Sequence, residues 1–150
     1  MTARRTSTSR SRGGDGVAIF IDTGIFIAAR NVSDKHHDTA VELLVKAING
    51  EFGPVYTSDY IFDEAITLAS VRVKQKEFVR DIGEYILGFP ALHLLFTGEE
   101  IFRSAWDIHG KYSDKPFSFT DCTILAWCEQ LGIQLIGTVD SHFDGILTRA

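Results

Sequence analysis

Four short apolar runs, each followed by a helical stretch, constrain this 150-residue chain more than any other feature. Val17–Ile21, an apolar run rich in β-branched residues, reads as a buried strand, and Pro54–Thr57, Ala91–Phe96 and Ile133–Gly137 read as three more. Between them, apolar residues recur at helical spacing. Ala40, Val41, Leu44, Val45 and Ile48 form one such stripe, closed by Gly50. Further helices are expected from Asp22 to about Arg30, after Ser58 or Asp59, over about Gln75–Leu87, from Thr97 to about His109, and over Phe119–Leu131. Thr97 and Glu100 have capping-box spacing, and Ser118 is placed to cap the last helix, which Gly132 ends. Strand–helix alternation without a tight hairpin signal predicts an α/β fold, a central parallel β-sheet flanked by helices on both faces.

Size and composition bound the alternatives. The length suits one domain, and no apolar run approaches a membrane span. Residues 1–16 stand apart: Arg4, Arg5, Arg10 and Arg12 sit among Ser, Thr and Gly, which predicts a disordered tail ahead of a domain over 17–150. The tail lacks the hydrophobic region of a secretory signal and the amphipathic pattern of a transit peptide. It carries +3, leaving −8 of the −5 total on residues 17–150. So acidic a body is unusual for a nucleic-acid binder unless bound metal offsets its acids. Cys122 and Cys128 lie six apart, which suits neither a zinc pair nor a disulfide within one helix, and they read as buried thiols of a cytoplasmic protein. The five His residues make no metal spacing, and His36–His37 reads as a solvated helix start.

Asp22, Glu64, Asp121 and Asp140 fall in apolar settings at strand ends or early in helices. Taken singly, Asp22 could cap a helix, Asp121 could complement a helix dipole, and Asp140 could form an Asx turn. Glu64 is harder to explain that way. It lies within the stripe of Tyr60, Ile61, Ala65, Leu68 and Ala69, while Asp63 falls with Asp59, Thr67 and Ser70 on the wet side. An isolated carboxylate out of water must be paired or bind a cation, and four together point to a shared hard cation such as Mg²⁺ or Mn²⁺. Such a site can hydrolyse phosphodiesters without a covalent nucleophile.

These residues resemble a known family. FIDTGIFIAA, YIFDEAITL, SFTDCTILA and TVDSHF, in that order over about residues 17–145, look like the PIN domain, and most like its VapC-type toxin ribonucleases. The resemblance implies a Mg²⁺- or Mn²⁺-dependent endoribonuclease acting on RNA, a homodimer and, in the toxin branch, a small antitoxin partner. It implies that Asp22, Glu64, Asp121 and Asp140 are both catalytic and metal-binding. Thr138, matching a small hydroxyl residue before the last acid, would orient water or substrate. Gly24 departs from the Asn common after Asp-Thr, which puts any polar role there in doubt. Arg72, Lys74 and Lys76 follow the Glu64 helix, and Lys111 and Lys115 precede Asp121; they are read as solvated faces able to meet phosphate.

Other readings are a non-toxin RNA-processing or DNA-directed nuclease and a non-catalytic metal-binding regulatory or scaffold domain. The retention of all four acids weighs against the scaffold. A phosphate-accepting receiver domain needs a late Lys after a strand, and none follows Lys115.

Overall fold

The computed structural model describes residues 17–150; the Arg-rich stretch, expected to be disordered, lies outside the described residues. The elements alternate as expected: β1 (Ile19–Ile21), α1 (Thr23–Ala29), α2 (His37–Ile48), β2 (Val55–Ser58), α3 (Asp59–Arg72), α4 (Lys76–Leu87), β3 (Leu92–Leu95), α5 (Glu99–Lys111), α6 (Phe119–Leu131), β4 (Leu135–Gly137) and β5 (Thr148–Arg149). All strands pair in parallel in the order β3-β2-β1-β4-β5.

Burial explains the central position of β1. Successive strand residues face opposite sides of a sheet, yet Ile19, Phe20 and Ile21 are all 0% exposed, so both faces of β1 are covered. Ile25, Phe26, Ala40, Leu44, Ile61, Ile82, Ile86, Ile124, Ile136 and Phe143 complete the core around it. Thr57, also fully buried, offers its hydroxyl to the carbonyl of Ile21 at 2.9 Å and ties the ends of β1 and β2 together. Strand order reverses direction at β1: the chain runs outward to β2 and β3, then returns to place β4 on the other side. Ligands of open parallel sheets bind outside the strand carboxyl ends at such a reversal. The Asp22 N–H donates to the Gly137 carbonyl at 2.9 Å, joining the ends of β1 and β4 at this point.

Three local details depart from the sequence pattern. A fifth strand follows Gly145, whose φ of +88° turns the chain; two residues are too short to register as a periodic run. Gly98, not Thr97, stands before α5, and no side chain caps that helix. Thr97 instead donates its N–H and hydroxyl to Asp59 at 3.0 and 2.8 Å, and receives the Trp127 indole N–H at 3.2 Å. Asp59 is therefore half-buried and engaged, not on the wet side with Asp63. A tertiary acceptor with two aligned oxygens displaced the local cap, which spacing along the sequence cannot reveal.

Candidate active site

Each of the four acids is placed by the element that carries it. Asp22 is the N-cap of α1: its Oδ1 accepts the Thr23 N–H at 2.8 Å, and its other oxygen accepts the Thr138 hydroxyl at 2.8 Å. The Thr138 oxygen in turn accepts the Asp140 N–H at 3.1 Å, so one hydroxyl links the ends of β1 and β4. Glu64, in the second turn of α3, accepts the Thr23 hydroxyl at 2.5 Å. Ser118 and Asp121 form a reciprocal capping box: the Asp121 N–H donates to Ser118 Oγ and the Ser118 N–H donates to Asp121, both at 3.0 Å. His142 Nδ1 stands 3.7 Å from the same Asp121 carboxylate. The Asp140 side chain is exposed at the rim.

All four carboxylates line one cleft of about 490 Å³, with Thr23, Ile27, Leu68 and Val139 among the other walls. Asp22 is 5% exposed, and burial pushes its pKa from 3.8 up to about 7, against the opposing hydrogen bonds from Thr138 and Thr23. The charges of Asp121 and Glu64 push in the same direction as burial. A carboxyl group is costly to ionise here without a cation. By donor type the cleft suits a hard divalent ion, because its acids offer oxygen only. Among the described residues, however, no three His, Cys, Asp or Glu side chains lie close enough together to enclose one. Asp121 is turned toward Ser118 and Glu64 toward Thr23, so both would exchange a hydrogen bond for an ion.

Sequence spacing overlooked several wall residues. Thr23 follows Asp22 directly, but its bond to Glu64 spans 41 positions and leaves no local signal. Lys35, His36 and His142 also line the cleft. His36 and His37 are half-buried and not a solvated start; His37 Nδ1 lies 2.8 Å from the Ala28 carbonyl, pinning α2 to the end of α1. Of the basic residues expected on solvated faces, Arg72 lines the cleft, Lys74 and Lys76 line a separate groove between α3 and α4, and Lys111 borders a cavity beside α6. Gly24 has a packing reason: a Cβ there would stand 2.8 Å from Val139 Cγ2, so a side chain would push apart the strand ends that carry Asp22 and Asp140.

With that geometry in place, comparison with known proteins is decisive. The PIN domain family model matches residues 19–146. The chain belongs to the PIN-domain family, and within it to the VapC type. A VapC ribonuclease of Archaeoglobus fulgidus is 32% identical over 131 residues, covering 85% of this chain and 80% of that protein. Among solved structures, the sarcin–ricin-loop-cleaving toxin VapC20 of Mycobacterium tuberculosis superposes with a TM-score of 0.73 at 25% identity, over 83% of this chain and 92% of that one. VapBC2 of Rickettsia felis, bound to a DNA fragment from its promoter, shares the fold at a TM-score of 0.64 and 16% identity, over 89% and 98% of the two chains. Cys122 and Cys128 of this PIN chain are free and buried, and burial pushes the Cys128 thiol up to about 12, so neither is a reactive nucleophile.

Proposed function

We propose that this PIN-domain protein is a metal-dependent endoribonuclease that hydrolyses RNA phosphodiester bonds, the toxin of a toxin–antitoxin pair. One observation carries the chemistry: four carboxylates from separate elements face one cleft, and the most buried of them is held up near pH 7. Asp22, Glu64, Asp121 and Asp140 would hold Mg²⁺ or Mn²⁺, and bound metal would supply an activated water and charge stabilisation for phosphoryl displacement. Thr23 and Thr138 act as positioning residues, fixing Glu64 and Asp22 through their hydroxyls. His142, beside Asp121, faces the same space.

RNA as substrate and the toxin role rest on the VapC relative and on the VapC20 likeness. An antitoxin partner rests on the VapBC likeness, which by itself carries the fold. Among the described residues no helix is long and apolar enough to cross a membrane, and the free thiols suit the reducing cytoplasm we assign. A homodimer suits the exposed apolar surface near α5, where Phe96, Phe102 and Trp106 are 73%, 48% and 64% exposed.

The test is cleavage of RNA by purified variants. Asp22→Asn, Glu64→Gln, Asp121→Asn and Asp140→Asn should each lower the rate by at least about a hundredfold. Asp63→Asn, on the exposed side of α3, should keep it. Wild-type rates in two or more of the four would overturn the assignment.

A further inference from the structure

The cleft walls combine three kinds of side chain. The four acids gather at the strand ends, Ile27 and Leu68 provide apolar wall, and Arg72 and Lys35 add positive charge. Glu64, Leu68 and Arg72 recur every four residues on α3 and all border the cleft. At 1.5 Å rise per residue, the Arg72 backbone lies about 12 Å along the helix from that of Glu64. Lys35 belongs to the loop between α1 and α2. That loop is pinned by Asp34, whose carboxylate accepts the His36 N–H at 2.8 Å and whose carbonyl accepts the His37 N–H at 3.0 Å.

Neither cation is in an ion pair among the described residues, whereas Arg30, Arg80, Arg103 and Arg149 each have a carboxylate partner. Both are exposed and line a cleft that also holds five carboxylates, Asp34 included, so they are free to meet an anionic ligand that enters it. Lys74 and Lys76, close by in sequence, border a different groove and do not share this position.

We propose that Arg72 and Lys35 clamp backbone phosphates of a single-stranded RNA beyond the scissile bond, so that the strand lies along α3 across Leu68 and Ile27. The inference rests on the ribonuclease reading and adds where the strand runs. Phosphate contacts position a nucleic acid without reading its sequence, so the clamp sets register and affinity and leaves base preference to other groups. In a cleft whose carboxylates outnumber its cations, Arg72 and Lys35 are the side chains able to attract a phosphate in the absence of a bound divalent ion.

The experiment measures cleavage and binding of a short fluorescent single-stranded RNA by wild type, Arg72→Gln, Lys35→Gln, the double variant, and Lys46→Gln as a charge-matched control on exposed α2. Binding is followed without divalent cation across a salt series, cleavage with Mn²⁺. Each removed phosphate contact should flatten the slope of log affinity against log salt by about 0.7. KM should rise roughly three- to tenfold per site with kcat within about twofold, because uniform binding is lost. Arg72→Lys should restore most of the slope, since a point charge is enough for a backbone phosphate. A double variant with the slope and KM of Lys46→Gln overturns the clamp, as does a fall in kcat with KM unchanged. Failure of the wild type to cleave any RNA would instead overturn the ribonuclease reading on which the clamp depends.

Discussion

Replacing Asp22 with Asn should stabilise the metal-free protein while lowering the proposed RNA cleavage by at least about a hundredfold. The Asp22 carboxyl titrates near 3.8 when unfolded and at about 7 when folded, chiefly because it is buried. Between those values the folded state holds a proton that the unfolded state has released. Stability therefore falls as pH rises from about 4 to about 7, and levels off above that. A difference of about three pKa units, at about 1.36 kcal/mol each, corresponds to about 4 kcal/mol. That is a large share of the roughly 5–15 kcal/mol that holds a domain together.

Asn matches the protonated acid in shape. Its carbonyl can still cap Thr23, and its amide can donate to the Thr138 oxygen, whose hydroxyl can rotate to accept. In EDTA at pH 8 the Asn variant should be more stable than wild type by about 2–4 kcal/mol, a melting shift of roughly 10 °C for a domain of this size. Near pH 4 the two should converge, because the wild-type carboxyl is then protonated when folded. Other titrating groups act on both proteins, so the difference between them isolates Asp22. Millimolar Mn²⁺ should raise the melting temperature of wild type and not of the variant, by mass action on the folded form. Denaturant unfolding at a series of pH values measures all of this. A difference that does not change between pH 4 and pH 8, or a variant weaker than wild type at pH 8, would refute the link from burial to a raised carboxyl pKa.

Two further outcomes are expected. Gly53→Ala should destabilise by about 2–4 kcal/mol in chemical unfolding, because φ is +76° and a Cβ would stand 2.0 Å from the Val17 carbonyl oxygen; an unchanged midpoint would show that the β1 approach is not fixed there. Deleting residues 1–16 should leave turnover on a short RNA near wild type and weaken binding of long RNA at low salt, since the Arg side chains offer only screened attraction; loss of short-substrate cleavage would place that stretch in the site.

The order of the first four strands and the helices was legible because each of those strands is a short apolar run bounded by turn or capping residues, and helices such as α2 carry a periodic stripe. Ser58, whose oxygen accepts the Ile61 N–H, and Ser118 stand where caps were expected. What stayed hidden depends on pairs far apart in sequence. Thr97 looked like a cap until Asp59, 38 positions away, claimed its hydroxyl. Thr23 and Glu64, or Thr138 and Asp22 across 116 positions, meet only after the sheet has brought β1 beside β4 and α3. The basic residues show the same limit. Arg72, Lys74 and Lys76 form one charge cluster on paper, and the break between α3 and α4 sends them to two different grooves.

The ordinary structural roles of these acids and their proposed catalytic roles are not rivals. Asp22 caps α1 with one oxygen and presents the other to Thr138; Asp121 closes its capping box with one oxygen while its charge still reaches Asp22. A cap fixes the carboxylate's position by backbone geometry, at a helix N-terminus whose dipole favours the ionised form. A carboxylate held this way keeps its place without a cation, at the cost of the burial, and to a lesser degree the neighbouring charges of Asp121 and Glu64, that lift Asp22 to about 7. Glu64 has no such backbone anchor, being within α3, and depends instead on the Thr23 hydroxyl. The fold therefore orients two acids by helix caps and a third by a side chain from α1, and burial makes the cleft they share favourable to a cation before any substrate arrives.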